Sequence, residues 1–194
     1  ATLKIAVDDP VLTGLGITSR LGKSNLPVTW PISAVFLRVL GYIAAEGTVT
    51  DRAIIITNLD AAVLADIEHA LKTLGVLNYR GNRGIIIADH TFVALIKTLG
   101  GKSRSSHKSV LPLVFTSEHT AVAAYLQAYF EGDGGVEHAS VTAVSKSKNL
   151  ISELNYLLYY FGIVGRIRRT QKSAPGWNKK RTYWKLVISG QENL

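Results

Sequence analysis

The 194-residue chain contains one pattern twice. "LGYIAAEGTV" (40–49) and "AYFEGDGGVE" (128–137) each bring a run of small and aromatic apolar residues to an acid, Glu46 or Asp133, 87 positions apart. Asn58 and Ser145 keep that offset, as do Gly75 and Gly162, and the upstream "KSNLP" (from Lys23) and "KSVLP" (from Lys108) match at 85. Four anchors in one order mark an internal duplication, so any fold must be built of two similar halves.

Each half reads alike. An entry segment ends at Pro27 or Pro112, and an apolar helix follows over about 32–45 or 118–132. Two short strands come next, the second apolar or β-branched ("AIIIT", "ASVTAV"), then a helix stopped by Gly75 or Gly162. A strand pair completes the half: "VLNYRGNRGIIIA" in the first, "VGRIRRT" with "TYWKLVIS" in the second. Only the first half adds a closing helix, "HTFVALIKTLG". The expected fold class is α+β: two pseudo-symmetric αββαββ(α) halves, 1–104 and 105–194, joined by a polar linker over 100–107. No apolar run is long enough for a membrane span, and the N-terminal residues lack a signal-peptide layout. With no cysteine there are no disulfides, thiolate sites or cysteine nucleophiles, and the five histidines show no paired metal-ligand spacing. The lack of cysteine and methionine suits a hot environment.

The charge is concentrated. Between Glu153 and Glu192 there is no acid but eight bases: Arg166, Arg168, Arg169, Lys172, Lys179, Lys180, Arg181 and Lys185. These account for the whole net charge of +8, because the other 14 bases equal the 14 acids. A basic stripe of this kind faces a polyanion, nucleic acid by default. Around "SAPG" it reads as a long hairpin, with Trp177 as a turn-capping aromatic. Arg80 and Arg83 of "RGNRG", with Lys146 and Lys148, are further candidate DNA contacts.

Gly41 and Ala45 lie four apart on one helix face, and Ala128 and Gly132 are their counterparts. Small residues at this spacing let two backbones approach, so the helices are expected to pack together and bring Glu46 and Asp133 to one end. Two carboxylates there repel, and the negative helix ends add to the cost. Divalent cations held by Glu46, Asp133 and the helix-end carbonyls of Ala45 and Gly132 would offset it, and magnesium suits such an all-oxygen set beside phosphate.

"VLGYIAAEG" and "LQAYFEGDG" resemble the two signature helices of the LAGLIDADG homing endonucleases, and the likeness covers nearly the whole chain. It implies a monomer of the two-motif, intron-encoded type that cuts both strands of a long, non-palindromic DNA site, with two or more magnesium ions beneath the helices. It implies a sheet from each half in the major groove. It also implies catalytic roles for Glu46 and Asp133, for a lysine at Lys108 or Lys23, and for the polar positions Asn58 and Ser145. The expected setting is intracellular, with access to DNA in a prokaryote. The departures are Ala128 where the other helix has Gly41, unlike residues at Asn58 and Ser145, and no closing helix in the second half. Relatives of this architecture also act as intron maturases, which would make RNA a partner, or as DNA-binding regulators without cleavage. Retention of both acids favours cleavage. An intein would need a nucleophile at Ala1 and a terminal His-Asn pair, and the sequence has neither. Serines in "KSRSSH" read as linker, and Tyr156, Tyr159, Tyr160 and Phe161 as a packed helix face.

Overall fold

A computed structural model describes residues 2–4, 29–101, 105–172 and 180–190. Lys23, Lys179, Trp177 and the "SAPG" turn lie outside the described residues.

A short antiparallel pair, β1 (Thr2–Lys4) with β2 (Thr29–Pro31), leads into the first half. There, α1 (Ala34–Glu46) is followed by β3 (Gly47–Val49), β4 (Ile54–Thr57), α2 (Ala61–Thr73), β5 (Asn78–Gly81), β6 (Gly84–Ile87) and α3 (His90–Thr98). A 3₁₀ turn (Ser105–His107) and a short helix, α4 (Pro112–Phe115), precede the second half. That half runs α5 (His119–Asp133), β7 (Gly134–Glu137), β8 (Ser140–Ser145), α6 (Lys148–Tyr159), β9 (Arg166–Lys172) and β10 (Arg181–Ser189). The four-stranded sheets have orders β3-β4-β6-β5 and β7-β8-β10-β9, antiparallel throughout. Their registers repeat the duplication: Gly47 pairs with Ile56, and Gly134 with Ala143, at the same offset.

The two-half α+β architecture expected from the sequence is therefore the architecture found. The main helices start slightly later than the apolar pattern; for α1 the Ser33 side chain sets the start by accepting from the Phe36 N–H. They also end one residue later, so Glu46 and Asp133 are themselves the last helical residues. The α4 turn has no counterpart in the apolar pattern: Pro112 opens it at the first helical position, where its missing N–H costs nothing.

The core forms around α1 and α5. Phe36, Leu37, Val39, Leu40 and Tyr42 of α1 are buried, as are Ala121, Val122, Tyr125, Leu126, Ala128 and Tyr129 of α5. Each sheet lays one face on this pair, through Ile54, Ile56, Ile85 and Ile87 in the first half and Ala143, Leu186 and Ile188 in the second. The opposite faces stay open. Arg38 ties the halves together, donating to Asp66 in α2 at 2.5 Å and to Glu131 in α5 at 2.8 Å.

Candidate active centre at the paired helix ends

The four small residues form one interface. A Cβ on Gly41 would lie 2.3 Å from the Tyr125 carbonyl oxygen and 2.9 Å from the Ala128 Cβ. A Cβ on Gly132 would lie 2.9 Å from the Ala45 Cβ and 3.3 Å from the Glu46 Cγ. The backbones thus approach closely along the last turns, and each chain passes directly from its acid into a strand, at Gly47 and Gly134.

Bringing the acids together has an electrostatic cost. Burial, and then the neighbouring Asp133 carboxylate, push the Glu46 carboxyl up to about 7. The Asp133 carboxyl is raised by desolvation where the helix ends crowd together, although its side chain keeps an open face to solvent. Lys108 opposes both shifts. Burial depresses the Lys108 ammonium, while Asp133 and Glu46 favour its charge.

The position of Lys108 follows from its own segment. Its Nζ donates to the Ala44 and Ala45 carbonyls, both at 2.9 Å, capping the C-terminal end of α1. Its backbone carbonyl accepts from the Ser147 hydroxyl at 2.5 Å, and the Val110 N–H donates to Glu153 at 2.7 Å. A lysine beside the second half's entry helix thus reaches across to the first half's signature helix. Asn58 and Ser145 occupy equivalent strand ends, where their side-chain oxygens accept from the Asp60 and Ser147 N–H groups and shape the turns into α2 and α6.

Sequence reasoning missed Ser147 and Glu153, whose contacts are with a segment distant in sequence. It also missed Tyr129. The hydroxyl of Tyr129 is buried without a hydrogen-bond partner, and its neighbours in the field are Asp133, Tyr125 and Glu46. The counterpart Tyr42, at the same offset of 87, has its single hydroxyl proton within reach of both the Asp66 and the Glu131 carboxylates, so the duplication could have flagged the pair.

No cluster of three or more histidine, cysteine or acidic side chains able to hold a metal occurs among the described residues. The oxygens that meet are the Glu46 and Asp133 carboxylates and the Ala44 and Ala45 carbonyls, which already accept from Lys108, an all-oxygen set suited to a hard divalent cation. Two raised carboxyls near an orphaned hydroxyl are a donor set that a divalent cation would fit.

The open sheet faces differ. Strand register places Arg166, Arg168 and Lys172 of β9 with Arg181 and Lys185 of β10 on the open face of the second sheet, while Arg169 lies on the other. Lys172 is close enough to Asp133 to favour its charged form, so this cationic face borders the acids. Lys146 and Lys172 sit 5.8 and 6.0 Å from the Tyr183 ring centre, and Lys148 lies 5.1 Å from that of Trp184. Lys180 is exposed ahead of β10, and Lys185 is paired with Glu137. In the first half, Arg83 is exposed in the β5–β6 turn, whereas Arg80 is engaged by Glu68 through two 2.9 Å hydrogen bonds. The aromatic residues at the end of α6 touch one another, with Tyr156 and Tyr160 centred 5.7 Å apart and His119 stacked on Tyr160 at 6.0 Å, but Tyr156, Tyr159 and Phe161 stay exposed, so they are not the packed helix face expected from the sequence.

A fold of two pseudo-symmetric halves meeting through small-faced helices, each ending on an acid, defines a class. Residues 33–87 and 120–194 match the family model described as the LAGLIDADG-like domain, and the chain belongs to that family. Solved structures show the same fold. A mesophilic variant of the homing endonuclease I-DmoI superposes with a TM-score of 0.58 at 11% identity, over 84% of this chain and 92% of that one. I-DmoI in complex with DNA and Mn gives 0.57 at 12%, over 82% and 91%. Full-length WhiA from Thermatoga maritima gives 0.54 at 15%, over 88% of this chain and 55% of that one.

Among curated proteins, a replication factor C small subunit from Methanocaldococcus jannaschii is 32% identical over 102 residues, 53% of this chain and 5% of that protein. A DNA polymerase II large subunit from Thermococcus kodakarensis is 31% identical over 159 residues, 76% of this chain and 9% of that protein. A probable translation initiation factor IF-2, also from Thermococcus kodakarensis, is 33% identical over 84 residues, 42% and 6%. The chain thus spans only a small part of the curated relatives it matches. No helix among the described residues is long and apolar enough to cross a membrane.

Proposed function

We propose that the chain is a site-specific DNA endonuclease that acts as a monomer and makes a divalent-metal-dependent double-strand break in a long, non-palindromic site. The observation that carries this reading is the electrostatic triad of Glu46, Asp133 and Lys108 at the junction of the halves. Two carboxyls brought together there, at a cost eased by Lys108 and, for Asp133, by Lys172, make a centre built to take up further positive charge and a phosphate. Glu46 and Asp133, with nearby helix-end carbonyls, would hold magnesium, which when bound activates water and stabilises the leaving oxygen of a phosphodiester. Lys108 supplies fixed positive charge beside the scissile phosphate. The cationic face of the second sheet binds the backbone, and the two halves contact unlike half-sites because their open faces differ.

The curated relatives are named for unlike activities, spanning a replication factor, a DNA polymerase and a translation initiation factor. Each matches this chain over only a small part of its own length, so the matched part is separable from any one of those activities, which supports a mobile DNA-cutting element over a role tied to one host activity. Those relatives are longer proteins, which supports a protein-borne carrier at least as well as an intron-encoded one. A cleavage selection on random duplex DNA with Mg²⁺ tests the proposal. Recovery of double-strand breaks at one consensus site supports it, and DNA binding without breaks would favour a non-cutting regulator.

A further inference from the structure

The open face of the first sheet has a composition unlike that of any charged DNA-binding surface. Its register sets one row across the four strands: Thr48 on β3, Ile55 on β4, Ile86 on β6 and Tyr79 on β5. Ile55 is 36% exposed and Tyr79 55%. Thr57 extends the face, followed by Gly84 and Gly81 in its own row. Neither row contains a lysine or arginine, because Arg80 falls on the opposite face and is held by Glu68. The second sheet, by contrast, carries five cations on its open face.

We infer that the first half recognises its DNA half-site through thymine methyl groups, reading an A·T-rich stretch by apolar contact in the major groove. The inference rests on the DNA-cutting function proposed above. Both sheets start one residue after an acid and are related by the duplication. A duplex held on the cationic sheet and presented to Glu46 and Asp133 therefore also lies over Thr48, Ile55, Ile86 and Tyr79. Ile55 and Ile86 have neither charge nor donor to offer a phosphate, so their contact is with base edges. The thymine methyl is the apolar group that base pairs project into the major groove. A row across four strands, at about 4.8 Å per strand, spans ~14 Å. That matches on the order of four base-pair steps at about 3.4 Å each. The Thr48 and Thr57 hydroxyls flank the apolar pair and can hydrogen-bond to either donors or acceptors on adjacent bases.

The experiment selects bound duplexes from a random-sequence library with Ca²⁺ in place of Mg²⁺, then assigns each half-site by crosslinking from cysteines introduced at Thr57 and Arg166. Deoxyuridine next replaces thymidine in one half-site at a time. The expected result is A·T enrichment under the first sheet and about threefold to fourfold weaker binding for each methyl removed there. The same replacement under the second sheet should cost less, and Ile55→Ala should abolish the sensitivity to uracil at the facing positions. Selected duplexes whose first half-site tolerates uracil without loss would overturn the inference and leave the endonuclease proposal standing. A failure to select any duplex, with the chain associating with itself through this face, would overturn both.

Discussion

The Nζ of Lys108 lies 2.9 Å from the carbonyl oxygen of Ala45, so a side chain from the second half closes the helix that carries the first half's acid. The same ammonium opposes the upward shift of the Glu46 and Asp133 carboxyls and so favours their charged forms. Replacing Lys108 with methionine keeps the apolar stem and removes the charge. Cleavage should fall by at least about 100-fold, in the range for loss of one electrostatic stabiliser. The Kd for DNA should change by less than about 5-fold, because the other cations remain. Single-turnover cleavage and equilibrium binding measured side by side check this, and equal losses in both would reduce Lys108 to a phosphate-binding group.

The Glu46 carboxyl also sets a pH dependence of stability in the absence of metal. Its folded value of about 7 stands above its ordinary value of 4.5, so between these pH values the folded chain binds more protons than the unfolded one. Stability from this group is therefore full below about pH 4.5 and declines as pH rises towards 7. Asp133 is shifted in the same direction. Glu46→Gln should raise the Tm of the metal-free protein at pH 8 by an amount equivalent to ~1 kcal/mol, after allowing for solvent screening, and change little at pH 4.5. Thermal melts at the two pH values decide it.

Millimolar Mg²⁺ should raise the Tm of the wild-type chain at pH 8, through binding to the folded state alone. The gain should be smaller in Glu46→Gln and in Asp133→Asn. Equal gains in all three would place the cation elsewhere.

The close helix approach makes Gly41 intolerant of any side chain. Gly41→Ala would set a methyl 2.3 Å from a backbone oxygen, so the helices must part. The expected loss is about 2–3 kcal/mol, read from urea unfolding. Ala128→Gly, which opens space at the same interface, should cost less.

Much of this was legible in the sequence because duplication turns weak local signals into paired ones. The small face at Gly41, Ala45, Ala128 and Gly132 and the acids that follow it were found by offset, and the helix stops at Gly75 and Gly162 recur with the same positive φ of 71°. Tertiary pairings broke no local rule and left no such trace. Arg80 looks like a DNA-binding residue in "RGNRG", yet strand alternation turns it towards Glu68. The capping of α1 by Lys108 depends on Ser147 and Glu153, which fix its segment from α6 and the turn before it. The apolar row on the first sheet appears only once register aligns residues from four separate strands.

The cations on β9 and β10 should control the salt dependence of binding. Replacing Arg166, Arg168 and Lys172 with glutamine should lower the slope of log K against log salt by about 0.9 for each phosphate no longer neutralised. Arg80→Gln should leave the slope nearly unchanged, because Glu68 already neutralises that charge. Fluorescence titrations between low and moderate salt measure both.

The most direct test uses the selected duplex target, with each strand labelled separately, and compares the wild type with Asp133→Asn in Mg²⁺. The wild type should cut both strands at fixed positions, and Asp133→Asn should bind with similar affinity but fail to make the double-strand break. Undiminished cutting of both strands by Asp133→Asn would contradict a centre built on the paired acids.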